Sequence, residues 1–174
     1  MPTQVLTVRV TKGRDARDLL VCERGDGTRT WHRVSEGMPV HDLTHLAVES
    51  TLGLADAFYG LVADGWDVQT FAEPGASRQL PGMAIWTEVV VFLLQTELAN
   101  GIVQDPASFN ATVAAIGGSK HITYSRHISA EELDAIREMV RRWCDEWRAL
   151  KPGEDLVFRF APGTDTGLER GAGG

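Results

Sequence analysis

The repeat of the apolar residues changes twice along the chain, and that change bounds the folds open to it. From Val5 to Thr11, Leu6, Val8 and Val10 alternate with Thr7, Arg9 and Thr11, the two-residue period of a strand with one buried face. The runs Leu19–Arg24 and Thr28–Val34 flank Gly25-Asp26-Gly27, a hairpin signal. Near the other end Leu156, Phe158 and Phe160 alternate with Val157 and Arg159 after Lys151-Pro152-Gly153, which predicts a fourth strand. Between these groups the period lengthens to that of helices. The expectation is an α+β fold, a small antiparallel sheet of three N-terminal strands and one C-terminal strand, covered by about four helices.

The first helix is predicted to start at Pro39, a residue suited to the first helical position, and to reach at least Leu52, with an extension past Gly53 to Ala63 left open. The second covers Met83–Asn100 and is closed by Gly101. Asp105-Pro106 caps a third through Ile116, and Gly117-Gly118-Ser119-Lys120 reads as a turn, since the first glycine of a phosphate loop is missing. Ser129 and Glu132 form a capping box before Leu133, Ile136, Val140, Trp143, Trp147 and Leu150, an apolar stripe at helical spacing that reads as core. Trp66–Leu80 has no clean period and reads as a loop.

A chain of 174 residues buries one proper core, so residues 1–162 are expected to form one domain and 163–174 a flexible Gly-rich tail. The net charge of −7, with no basic cluster, argues against a nucleic-acid partner. No apolar run of roughly 18 to 20 residues stands out and Met1-Pro2-Thr3-Gln4 lacks the layout of a secretory signal, so no membrane is expected and the cytoplasm is the expected location. Cys22 and Cys144 form no metal or redox pair and read as core. A homo-oligomer stays open.

The chemistry concentrates in Pro39-Val40-His41-Asp42-Leu43-Thr44-His45-Leu46-Ala47-Val48-Glu49. At about 100 degrees per residue, with His41 at zero, His45 falls near 40, Glu49 near 80 and Asp42 near 100 degrees, with Asp56 near 60 if the helix continues. The apolar stripe of Val40, Leu43, Ala47, Leu54, Phe58 and Leu61 lies on the opposite side, so a solvated face is one reading. Against it, Val48, Leu52, Tyr59 and Leu46 border the polar stripe. No Lys or Arg occurs between Arg33 and Arg78, while Glu36, Asp42, Glu49, Asp56, Asp64, Asp67 and Glu73 fall inside that window. Carboxylates stacked beside histidines repel unless a cation neutralises them or some are protonated. His41, His45 and Glu49 are therefore the expected metal ligands, with zinc the first choice and an open position for water. Asp42 is the candidate catalytic base, or an anchor behind the ligands, in the place glutamate holds in the His-Glu-x-x-His helix. Glu97, on an apolar face of the second helix, is a further candidate ligand. Glu88 shares a side with Gln95 and reads as partly solvated. His32, His121 and His127 read singly as structural.

The run Pro39 to Glu49, continued by Leu54-Ala55-Asp56-Ala57-Phe58-Tyr59-Gly60-Leu61-Val62-Ala63-Asp64-Gly65, resembles a set of small bacterial proteins of unassigned activity with a Pro-His-Asp-Leu-x-His-x-x-Val-Glu-like helix. Val40 separates Pro39 from His41 here. His41, Asp42 and His45 also resemble the His-Asp-x-x-His motif of a ubiquinone-biosynthesis family held to bind zinc, although Ala57 stands where that family's distant glutamate falls. The second resemblance implies a parallel in metal binding and does not carry over a role in quinone synthesis.

Two functions follow. One is a divalent-metal-binding protein, a metal-dependent hydrolase or an enzyme of a related lyase or hydroxylase step, acting on a small molecule. The other is a non-catalytic structural or interaction module whose His/Asp/Glu cluster is a hydrogen-bonded packing network.

Overall fold

A computed structural model describes residues 5–15, 17–35, 38–164 and 166–171; the expectations for Met1–Gln4 and Glu36 lie outside them. The strands are β1 (Leu6–Thr11), β2 (Arg17–Arg24), β3 (Arg29–Ser35), β4 (Asp155–Phe160) and β5 (Gly167–Gly171). They form one antiparallel sheet in the order β3-β2-β1-β4-β5. Both ends of the chain meet at its centre, where Val8 faces Cys22 on one side and Phe158 on the other. The alternation is realised in burial: Leu6, Val8, Val10, Leu20, Leu156, Phe158 and Phe160 are inaccessible while Arg9 and Arg159 are exposed.

The fold class is thus α+β, with a sheet one strand wider than expected. β5 comes from the stretch 163–174 that composition assigned to a flexible tail. Main-chain pairing with β4 recruits it, and Leu168, opposite Phe158, packs partly buried on the core. Residues 165 and 172–174 of that stretch lie outside the described residues.

Among the described residues five helices follow the same logic: α1 (Met38–Leu52), α2 (Phe58–Ala63), α3 (Gly82–Asn100), α4 (Pro106–Ser119) and α5 (Ala130–Ala149). The extension of the first helix to Ala63 does not form. Gly53 adopts φ 64° and the Leu54 amide donates to the Glu49 carbonyl at 3.0 Å, the six-to-one bond of a helix stop. Gly101 closes α3 at φ 67°, Asp105 caps α4 by accepting from the Ser108 amide, and Ser129 and Glu132 make the capping box of α5. α4 runs a turn past Ile116, so Gly117, Gly118 and Ser119 are helical rather than a turn. Between α2 and α3 lie two short 3₁₀ turns, Val68–Ala72 and Ala76–Arg78.

α1 is the central helix, packed on both α3 and α5, and every residue from Asp42 to Ser50 is buried. Its polar stripe is therefore an interior feature. α3 corrects the expectation that no apolar stretch has spanning length: an 18-residue stretch within it reaches a mean hydropathy of 1.3. Half of it is buried in the fold, and it carries Glu88 and Glu97.

A candidate metal centre between two helices

The four-residue spacing of His41 and His45 stacks their rings, with centroids 4.7 Å apart and planes at 71°. Both rings face α3, and each has one nitrogen tied down. His41 Nδ1 lies 3.0 Å from Gln95 Oε1, so that an Nδ1–H donates to the amide oxygen. His45 Nδ1 lies 3.1 Å from Glu49 Oε1. The remaining nitrogens turn toward one carboxylate on α3. His41 Nε2 is 3.7 Å from Glu88 Oε2 and His45 Nε2 is 3.0 Å from Glu88 Oε1. The second contact is an ion-pair distance, and among the described residues the buried His45 Nε2 has no other partner. These separations bracket the roughly 3.4 Å between neighbouring ligand atoms in tetrahedral zinc coordination.

His41, His45 and Glu88 are therefore a group that can hold a metal ion, their ligand atoms all within 4.8 Å of one another. No family profile, curated protein or solved structure matches this chain. What the site can do rests on its own geometry.

Charge in the cluster is set by burial and by these contacts. Burial, then the neighbouring His45, pushes His41 below the usual histidine range against the opposing pull of Gln95 and Glu88. A neutral ring donating through Nδ1 leaves a lone pair on Nε2, the form a metal takes. Burial also opposes a charge on His45, but the carboxylates of Glu49 and Glu88 outweigh it and lift the ring to about 10. A cation is favoured between these two acids, and a divalent ion can take the place of the proton. Glu88 pays a desolvation cost as well, yet the two imidazoles hold it below the usual glutamate range.

Glu49 is placed behind the ligands. The bend at Gly53 returns the chain so that the amides of Tyr59 and Gly60, at the start of α2, donate to Glu49 Oε2 at 2.8 and 3.3 Å, while Oε1 accepts from His45. It is fully buried, and its oxygens face the ring and the backbone rather than Glu88. A carboxylate on the far nitrogen of a metal-binding histidine fixes the tautomer and raises ligand basicity. Arg24 secures the other end of α2, donating to the carbonyls of Val62 and Trp66 at 2.6 Å each.

Asp42 is 5% exposed, with Oδ2 buried and without a hydrogen-bond partner among the described residues. Burial raises it to about 7, a rise that His45 opposes and Glu88 assists. Its main-chain oxygen accepts from the Tyr59 hydroxyl at 3.1 Å.

Glu97 takes no part. Nine residues beyond Glu88, or about 13 Å along the helix, it is held by Arg137 at 2.9 and 2.7 Å and accepts from the Gln104 amide at 2.9 Å. Its apolar surroundings are offset by an ion pair with α5 rather than by a metal. The acidic window also disperses: Asp56, Asp64 and Glu73 are exposed and Asp67 accepts from the Thr30 hydroxyl. His121 and His127 are exposed, and His32 is half-buried on β3.

The residue missed by sequence was Glu88, set aside because it shares a side with Gln95. That shared side was the signal. Glu88 and Gln95, seven residues or two turns apart on α3, both face His41.

Proposed function

We propose that this protein binds one divalent cation, zinc in the first place, through His41, His45 and Glu88, and acts as a metal-dependent hydrolase. One observation carries the reading: two Nε2 atoms converge on one carboxylate while each Nδ1 is engaged by a separate acceptor. Two imidazoles and a carboxylate suit zinc or a non-haem metal and leave room for a further ligand. Such an ion supplies Lewis acidity and lowers the pKa of water. Asp42, with a buried unpartnered oxygen and a pKa near neutrality, is the group on this chain suited to accept a proton. Gln95 and Glu49 orient the rings. The resemblance of His41-Asp42-x-x-His45 to a zinc-associated motif agrees with this choice of metal.

The second reading, a packing network without catalysis, is favoured by the three hydrogen bonds that Glu49 gathers from α1 and α2. Elemental analysis of protein purified without an affinity tag separates the two. The metal reading expects zinc near one equivalent, lost in His41→Ala and in Glu88→Gln with the fold intact by circular dichroism. Asp42→Asn should keep the metal and lose hydrolysis of a p-nitrophenyl ester. Metal-free parent protein that fails to take up zinc on dialysis would establish the packing network instead.

A further inference from the structure

Glu88 has a second neighbourhood. One side of its carboxylate meets the two histidines; the residue also lines a groove of about 440 Å³ between α3 and α4, whose other walls are Ile85, Val89, Phe92, Ile116 and Lys120. On α3 the lining residues are spaced three, one and three apart, a single helix face running about 10 Å from Ile85 to Phe92. The volume lies in the range of small-molecule sites. Its walls are apolar apart from two charges. Phe92 is 62% exposed and joins Ile85, Val89 and Ile116 in one apolar wall of the groove. Lys120, at the end of α4, has no ion pair or hydrogen bond through its ammonium group among the described residues, and it is the one cation of the groove.

We infer that this groove binds a small amphipathic carboxylate, with its apolar body along Ile85, Val89, Phe92 and Ile116 and its anionic head on Lys120. Charge decides the orientation. Lys120 is the one cation among the lining residues, so the head lies at the α4 end, on Lys120, and the uncharged end lies along α3 toward Glu88. The inference rests on the metal reading in one respect only: it makes that uncharged end the part of a substrate presented to the metal, so the substrate class is an apolar carboxylic acid bearing a hydrolysable group at its far end.

The test uses the full chain, metal-free, with 1-anilinonaphthalene-8-sulfonate as the fluorescent probe and octanoate and octan-1-ol as competitors. Octanoate is expected to displace the probe at one site. It should do so with an affinity about ten-fold above that of octan-1-ol, the equivalent of about 1.4 kcal/mol for the ionic contact. Lys120→Ala should cost octanoate about ten-fold and leave octan-1-ol unchanged, Lys120→Arg should restore binding, and Phe92→Ser should weaken both competitors. Equal competition by octanoate and octan-1-ol overturns the proposal. So does octanoate affinity unchanged in Lys120→Ala, or a Phe92→Ser variant that turns a dimer into a monomer with octanoate affinity intact, which would make the face an interface between copies. The two readings fail separately. Octanoate binding retained in His41→Ala, which should lack zinc, leaves the groove standing without the metal, whereas zinc at one equivalent with no octanoate binding removes the groove alone.

Discussion

At the scale of single residues, Glu49 and Asp42, two turns apart on one helix, take different roles. Both are buried carboxylates on α1, but Glu49 accepts from an imidazole and two amides, whereas Asp42 Oδ2 accepts from none of the described residues. Removing an outer carboxylate from a metal-binding histidine lowers affinity about 10–100-fold. Glu49→Gln is therefore expected to weaken zinc binding by that factor, read by competition with a chelating dye, while His41→Ala abolishes it. Affinity unchanged in Glu49→Gln would remove the carboxylate from the metal's support. Asp42 makes a prediction about pH. Its folded-state pKa, about 7, lies above the ordinary 3.8 because of burial. Between these values the folded chain holds a proton that the unfolded chain has lost, so the contribution to stability is full below about pH 4 and is lost as pH rises through about 7. Asp42→Asn removes this dependence. Urea denaturation of metal-free protein should find the variant more stable than the parent at pH 8, by on the order of a few kcal/mol, with the gap closing by pH 4. A gap equal at both pH values would assign the effect to packing.

At the scale of elements, the break between α1 and α2 builds the site. Gly53 ends α1, and Gly60 lets the returning chain come close: a Cβ there would stand 1.9 Å from the Ala55 carbonyl oxygen. Gly60→Ala must displace the start of α2 from Glu49, with an expected cost of about 1–3 kcal/mol and weaker zinc binding. Ser129→Ala, which removes the capping box of α5, should cost about 1 kcal/mol and leave zinc affinity alone. Thermal melts and zinc titrations of the two variants compare a break at the site with a break elsewhere. Most elements were legible because their signals are local: alternation in β1 and β4, caps at Asp105 and Ser129, the glycine after Asn100; the stop at Gly53 was not, because a helical period resumes beyond it. β5 was not, since a Gly-rich segment without a period is recruited by main-chain pairing to a strand already in place. In the site, the spacing of His41 and His45 identified the pair. Spacing could not assign the acids. Glu49 turns inward because of amides that arrive through the bend at Gly53, and Glu97 is neutralised by Arg137, forty residues away in sequence. Glu88 belongs to the cluster only because α3 packs beside α1.

At the scale of the whole molecule, the cluster joins two core helices: α1 contributes His41 and His45, and α3 contributes Glu88. Both helices belong to the same buried core, and an unfolded chain does not hold the three groups together. A cation bound there stabilises the folded state by mass action, about 2.7 kcal/mol when free ligand stands at 100 times its Kd. For a chain of this size each kcal/mol moves Tm by about 2–4 °C, so zinc should raise Tm by roughly 5–10 °C. Glu88→Gln is the discriminating variant because its side chain is 50% exposed, and replacing it leaves no buried charge unpaired, whereas His45→Ala would strip Glu49 of its partner in the interior. The expected result in differential scanning calorimetry is a zinc-dependent rise in the parent that EDTA reverses and Glu88→Gln lacks. Calcium and magnesium, which favour oxygen ligands, should produce little of it. A rise of the same size in Glu88→Gln, or with calcium, would place the stabilising ion somewhere other than between α1 and α3.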